Sequence, residues 1–330
     1  MNIYSSVDNT NIDKIICLFN SVWLNSNKEK KNNLKFYLLV DSIPETIPFI
    51  PEYIKERLSI KSLDLDKKWT ELLINFNNTF YKKSNWCKND MNFARFVIFN
   101  HFPELDRVIY LDWDMVVQED IFELTNEYNE IDKIVVAKCR NQSIFDNIFT
   151  LEFRPEKNYN SLFTRSNKLK KKYQKGYKIM SNFMKDPMDS HNINGFNAGF
   201  YIVSRKHLDN TYMITLLNKL ISIQEINNCF NFGTQVVMNL MFINERIYID
   251  NSWNTLPEDN CSNIKIIHYN GQNKPLNVNE QREIDKIWLK YYMYVYPDKK
   301  SIKSPIKKNI ENSINRKKII NKYLLNFLIS

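Results

Sequence analysis

Two aspartates separated by one residue, Asp112 and Asp114, are the side chains in this sequence best placed to do chemistry. They close the run Arg107-Val108-Ile109-Tyr110-Leu111-Asp112-Trp113-Asp114, a β-branched and aromatic stretch that ends abruptly in two carboxylates. In extended chain, residues i and i+2 point the same way, so both aspartates could aim at one point while Trp113 faces elsewhere. Two hard oxygen ligands at the carboxyl end of a buried strand make half of a divalent-cation site. Aspartates at a strand end also cap turns and helices, and on the pair alone both readings stand.

A second group lies far downstream. The apolar stretch Ile264-Lys265-Ile266-Ile267 ends in His268, followed by Gly271, Lys274 and Pro275. A histidine at a strand end, a glycine turn and a lysine can serve a metal and a phosphate together. Imidazole beside two carboxylates favours Mn²⁺ over Mg²⁺, which prefers an all-oxygen shell, so Mg²⁺ is the second candidate. Two further stretches carry polar groups at structured positions. Asn194-Gly195-Phe196-Asn197-Ala198-Gly199 has small residues that let backbone approach a ligand, with the Asn197 amide beside them. Gly233-Thr234-Gln235 opens a helix and places Gln235 in its first turn. Arg95, upstream of the acidic strand, is either a surface arginine or a clamp for phosphate or carboxylate.

The elements that must position these groups follow from periodicity. Asn2 to Val7 reads as a strand, Asp8-Asn9-Thr10 as cap candidates, and Ile12, Ile15, Ile16, Phe19, Val22 and Trp23 as one face of a helix. Strands are predicted over Lys35–Asp41 and Ser59–Leu63, with a short helix near Pro51–Leu58 between them. A helix is predicted over Trp86–Phe102, another near Glu119–Tyr128, and strands over Lys133–Ala137 and Asn194–Val203. Helices are predicted over Lys206–Ile223 and Gly233–Ile243. This alternation gives an α/β fold, a doubly wound sheet whose carboxyl edge binds ligand and gathers Asp8 with the acidic pair. Arg140 to His191 breaks the pattern and reads as a long polar insertion around a basic cluster, Lys168 to Lys172.

The net charge of +9 is unevenly distributed. About +8 falls between Lys299 and Lys322 and about +6 between Leu151 and Ser190, leaving the rest about −5. A nucleic-acid grip spreads basic surface over the folded domain, so nucleic acid is not expected as a partner. The rival that keeps it, a metal-dependent nuclease-like protein using Asp112 and Asp114, needs the insertion and tail as its contact surface. The five cysteines form no C-x-x-C pair and read as reduced core residues. No signal peptide and no apolar span of membrane length is read in the sequence, which suggests a cytoplasmic protein. The tail beyond Ser304 spaces Ile306, Ile310 and Ile314 by four among basic residues, a pattern suited either to an anionic membrane surface or to packing on the domain. The expected division is one catalytic domain over residues 1–295, with the insertion at about 140–192, and a basic tail over 296–330.

Taken together, these motifs resemble glycosyltransferase family 8, the retaining nucleotide-sugar enzymes. The resemblance covers roughly residues 1 to 295 and rests on Ser6-Val7-Asp8, Phe93-Ala94-Arg95-Phe96, Asp112-Trp113-Asp114, Phe196-Asn197-Ala198-Gly199, and His268 with Gly271, Lys274 and Pro275. It implies a GT-A type fold with a mixed sheet, and transfer of a hexose, glucose or galactose, from a UDP-sugar to a glycan, protein or lipid-linked acceptor. By the same resemblance Asp112, Asp114 and His268 would hold Mn²⁺. Ser6, Val7, Asp8 and Trp113 would lie along the nucleoside, and Gly271 and Lys274 would meet the diphosphate. Arg95, Asn197, Ala198, Gly199 and Gln235 would face the sugar, with Arg95, Asn197 and Gln235 closest to the reacting centre. Members acting on lipid-linked acceptors carry basic, aromatic tails. The chain departs from the family at Thr234, where a carboxylate is usual, at Asn11 and at Leu276. A sugar-nucleotide binder with impaired turnover is the alternative that Thr234 raises.

Overall fold

In a computed structural model of the chain, the described residues are 1–80, 90–128, 130–149, 167–231, 233–259, 263–271, 274–275 and 283–297; the side chains of 139–141 and 167–173 are not described. Strand β1 (Asn2–Val7) turns directly into helix α1 (Ile12–Asn25). Strand β2 (Lys35–Val40), helix α2 (Glu52–Lys55), strand β3 (Leu58–Ser62) and helix α3 (Lys67–Phe80) follow. Helix α4 (Ile98–His101) precedes strand β4 (Arg107–Leu111), strand β5 (Met115–Val117) and helix α5 (Phe122–Tyr128). Strand β6 (Ile134–Ser143) runs into helix α6 (Ile144–Ile148), and helix α7 (Asn167–Met180) leads to strand β7 (Asn194–Ser204). Helices α8 (Asn210–Asn227) and α9 (Gly233–Met241), strands β8 (Arg246–Ile249) and β9 (Ile266–His268) and helix α10 (Asp285–Val295) complete the order.

Seven strands form one sheet in the order β3-β2-β1-β4-β7-β6-β8. β7 pairs antiparallel with both its neighbours, and every other pairing is parallel, so β7 alone runs against the rest. The sheet is therefore mixed, as the family resemblance implies. The reversal has a local consequence: the start of β7 lies at the carboxyl edge of the other strands. Both faces of the sheet are covered, which is why its inner strands are apolar without alternation. Tyr4, Val108, Tyr110, Tyr201 and Val203 belong to the core on one face, and Ile3, Ile109, Leu111, Phe200 and Ile202 to the core on the other.

A third core cluster secures a small two-stranded unit, β5 paired antiparallel with β9. Val116 of β5 and Ile267 and Tyr269 around His268 pack there with Cys17 of α1 and Trp288, Leu289 and Tyr292 of α10. Helix α1 is thus buried on two sides, beyond the one-faced helix its periodicity predicts, because α10 covers its outer surface. The buried Asp13 accepts a hydrogen bond from Tyr292 Oη at 2.6 Å.

Several expectations change. Within the described part of the helix predicted over 86–102, the chain forms two 3₁₀ turns, Asp90–Asn92 and Ala94–Phe96, before α4. Hydroxyls from the sheet meet the chain at the break. Tyr4 Oη donates to the Ala94 carbonyl at 2.8 Å, which also accepts from the Val97 amide at 3.2 Å to close the 3₁₀ turn, and Tyr201 Oη donates to the Arg95 carbonyl at 3.4 Å, so both carbonyls are held toward the sheet. The polar insertion is also more regular than predicted: β6 extends to Ser143, and α6 and α7 lie inside it. Helix α3 was not anticipated, although Trp69, Leu72, Leu73, Phe76 and Phe80 carry its buried face. Cys17 and Cys229 are free and buried, in keeping with reduced core cysteines. Cys87, Cys261 and the Cys139 side chain lie outside the described residues, as do Leu276 and the tail from 298 onward with its proposed membrane contact. No helix among the described residues is long and apolar enough to cross a membrane.

The β5–β9 unit should depend on Trp288, which is 1% exposed and stacked on Tyr292 at 4.8 Å. Trp288→Ala is expected to cost about 3–5 kcal/mol of stability, read from urea unfolding at constant m. A cost below about 1 kcal/mol would show that this cluster is not what holds β9 in place.

Candidate metal and donor site at the sheet edge

The two strand pairings bring the acidic pair and the distant histidine together. Leu111 pairs with Phe200, and the Asp112 amide donates to the Gly199 carbonyl at 2.9 Å, so β7 flanks the end of β4. Beyond the turn, Met115 pairs with His268, and the Tyr269 amide donates to the Asp114 carbonyl at 2.9 Å. Neither aspartate therefore serves merely as a cap. Ligand atoms of Asp112, Asp114 and His268 all lie within 4.8 Å of one another.

Burial and hydrogen bonding decide what this cluster can hold. Asp114 Oδ1 and His268 Nε2 face each other at 3.3 Å, and each is buried without a hydrogen-bond partner. His268 Nδ1 lies 2.9 Å from Asn254 Oδ1, an acceptor, so Nδ1 carries the proton and Nε2 presents a lone pair. Two buried lone pairs pointed at one another suit a cation between them, a metal ion or a proton on Nε2. The third ligand is similarly prepared. Asp112 Oδ1 accepts from Tyr110 Oη at 2.7 Å and from Arg95 Nη2 at 3.3 Å, which leaves Oδ2 turned toward His268 at 3.9 Å. These residues fit a divalent ion with mixed oxygen and nitrogen donors.

Charge is balanced locally. Burial opposes ionisation of Asp114, but the positive charge of His268, when its ring is protonated, and then that of Lys274 outweigh it and hold the carboxyl well below the usual carboxylate range. Lys274 Nζ donates to Asp114 Oδ2 and, at 2.8 Å, to the Tyr269 carbonyl. It reaches Asp114 across 160 residues of sequence because the chain reverses just after β9. Gly271, in that reversal, has φ +84°, a left-handed conformation that favours glycine. Lys274 Nζ also stands 5.0 Å from the centroid of the Trp113 ring, and Lys14 Nζ 5.3 Å from it.

The other residues singled out in the sequence fall around this centre with unequal roles. Arg95 lies on a 3₁₀ turn and is 6% exposed. Its guanidinium donates to the Ala198 carbonyl at 2.8 Å, the Asn92 carbonyl at 3.0 Å and Asp112, and lies over the Tyr110 ring. It braces the site from beneath. Ser6 and Val7 are buried within β1, with Ser5 Oγ tied to the Leu111 carbonyl at 2.6 Å, so Asp8 emerges at the same edge as Asp112. The Asp8 side chain makes no cap hydrogen bond to the turn that follows. Asn197 is the only partly exposed residue in the interior of β7, and Gln235 the only one in α9. Thr234 beside it is buried. Sequence reasoning missed Tyr110 and Asn254. Tyr110 could have been found from its i−2 spacing to Asp112; Asn254 carries no comparable signal.

Gly199 is required by proximity. A Cβ there would stand 2.4 Å from His268 Cε1, 2.8 Å from Asp112 Oδ2 and 2.9 Å from Asn197 Oδ1. Gly199→Ala is therefore expected to weaken Mn²⁺ binding at least about tenfold by calorimetric titration, since it displaces two ligands at once. Unchanged affinity would mean that these atoms do not bind the ion together.

Known proteins share the family signature and the fold of this chain. The family model described as glycosyl transferase family 8 matches residues 2–278. A crystal structure of the galactosyltransferase LgtC in complex with donor and acceptor sugar analogues superposes with a TM-score of 0.60 at 14% identity, covering 89% of this chain and 96% of that one. An active-site mutant of LgtC gives 0.59 at 12% identity over the same shares of 89% and 96%. The bifunctional glycosyltransferase WbbM gives 0.51 at 17% identity, covering 90% of this chain and 51% of that one. A search of curated proteins by sequence returns no match. At these identities the structures show a shared fold, the GT-A type. The family match extends over nearly the whole described fold and includes both halves of the acidic and histidine cluster; the chain belongs to glycosyltransferase family 8 and is a glycosyltransferase.

Proposed function

We propose that this enzyme transfers a hexose, glucose or galactose, from a UDP-sugar to an acceptor hydroxyl with retention at the anomeric carbon, using Mn²⁺. The observation that carries the proposal is the facing pair of unpartnered buried atoms, Asp114 Oδ1 and His268 Nε2, beside a lysine at the carboxyl edge of the sheet. Asp112 Oδ2, Asp114 Oδ1 and His268 Nε2 would hold the ion, and the nitrogen ligand favours Mn²⁺ over Mg²⁺. When bound, the ion neutralises charge on the diphosphate as UDP leaves.

The protein groups supply the rest. Lys274 is a second cation at the same edge, and the Gly271 backbone amide would add a donor. Asp8, at the end of β1, is placed for the uracil, and the Trp113 backbone for the ribose. Asn197 and Gln235 turn the open sides of β7 and α9 toward the sugar. Arg95 acts on the donor through Asp112 and the Ala198 carbonyl, keeping both where the sugar and the ion need them. Among the described residues, the two side chains assigned to the sugar, Asn197 and Gln235, are amides, which are poor nucleophiles. That supports attack from the face the UDP leaves, with the leaving phosphate taking the acceptor's proton, over a covalent glycosyl-enzyme. The family match over residues 2–278 weighs against the nucleic-acid reading of the acidic pair.

Release of UDP from a panel of UDP-sugars tests the proposal. Turnover of UDP-glucose or UDP-galactose is expected with Mn²⁺, abolished by chelation and reduced at least about 10³-fold in Asp114→Ala. Turnover indifferent to chelator, or confined to nucleotides other than uridine, would contradict it. Tight UDP binding with no turnover of any donor would instead favour the impaired binder that Thr234 suggests.

A further inference from the structure

The Gln235 side chain can present either an oxygen or an amino group to the donor, and the structure decides which. The decision begins at backbone atoms whose roles are fixed. The Phe196 amide donates to Asn239 Oδ1 at 3.0 Å, while Asn239 Nδ2 donates to the Phe196 carbonyl and the Gln235 carbonyl, each at 2.9 Å. Asn239 is fully buried, and those three contacts allow its amide one orientation. The same Nδ2, whose two hydrogens point to those carbonyls, shares its positive edge with Asn147 at the longer distance of 3.2 Å, where an oxygen is favoured over a second amino group, so Oδ1 faces it. Gln235 approaches that same oxygen at 3.2 Å and must do so through Nε2.

We propose that Asn147 is a positioning residue for the reaction, holding the Gln235 amide so that Oε1 is the atom offered to the donor sugar. The proposal rests on the reading of Gln235 as sugar-facing. A carbonyl oxygen accepts from a sugar hydroxyl and favours positive charge developing at the anomeric carbon, whereas an amino group would oppose that charge. Asn147 is built for such a task. It is 4% exposed on α6, the helix that opens at Ser143, whose Oγ accepts from the Asp146 amide at 3.1 Å. Its own carbonyl accepts from Asn231 Nδ2 at 2.9 Å. Its side chain fills the space where a Cβ on Gly195 would come within 2.8 Å of the Asn147 Cβ. The segment before β7, which the sequence presents as an irregular insertion, therefore contributes directly to the sugar side of the site.

A double-mutant cycle on UDP release from whichever of UDP-glucose and UDP-galactose is turned over separates positioning from general support. Asn147→Ala is expected to lower kcat about tenfold with donor KM changed less than about twofold, and to cause no further loss in a Gln235→Ala background. Asn147→Asp keeps acceptor oxygens toward both amides and is expected to recover most of kcat. Asn147→Ser carries the same cycle if the alanine variant does not fold. Equal loss from Asn147→Ala in the wild-type and Gln235→Ala backgrounds would overturn the proposal. So would full kcat in Asn147→Ala alongside a loss in Gln235→Ala, which would leave the sugar-facing role of Gln235 intact. Full kcat in Gln235→Ala would instead remove that role, and the positioning proposal with it.

Discussion

The site depends on keeping two lone pairs, on Asp114 Oδ1 and His268 Nε2, buried and 3.3 Å apart with no protein donor between them. Burying polar atoms without partners is unfavourable by a few kcal/mol, so the surrounding structure must hold them there against relaxation. Several features do so. The Met115–His268 pairing fixes the backbone, Asn254 fixes the imidazole tautomer, and Lys274 holds the other oxygen of Asp114. A cation with oxygen and nitrogen preference relieves the arrangement, and a diphosphate beside it would share Lys274.

The same logic of occupying one atom to free another recurs around the site. Tyr110 and Arg95 take one oxygen of Asp112 and leave the other for the ion. Asn147 takes the nitrogen of Gln235 and leaves its oxygen free, the atom we propose for the sugar. Close approach matters as much as bonding. The chain has only five glycines, and two of them, Gly199 and Gly271, stand at this site. One admits His268 and Asp112 side by side; the other turns the chain so that Lys274 returns to Asp114.

Much of the scaffold was legible because its signals are local. β1, β2, β4 and β7 are apolar runs bounded by polar residues, and α1 and α9 have clear periodicity. Asp112, Asp114, His268 and Lys274 stood out because charged groups at strand ends are informative even at long separation. Short elements escaped. β5 and β8 have three and four residues, too few for a pattern, and α3 was overlooked despite its apolar stripe. The helix expected around Arg95 is replaced by 3₁₀ turns whose Ala94 and Arg95 carbonyls are held by tyrosine hydroxyls of the sheet, a tertiary contact. Asn147 and Asn254 were invisible because an isolated asparagine in a sequence rich in asparagine carries no spacing to read. Their meaning lies in the side chains they meet, His268 for Asn254 and Asn239 with Gln235 for Asn147.

The central claim is that Asp112, Asp114 and His268 bind one ion together. Anomalous diffraction at the manganese edge, from crystals of the full chain grown with Mn²⁺ and UDP, tests it most directly. A single peak within coordination distance of Asp112 Oδ2, Asp114 Oδ1 and His268 Nε2 is the predicted result. A peak that engages the carboxylates while His268 Nε2 remains apart, or no peak at this edge of the sheet, would contradict it.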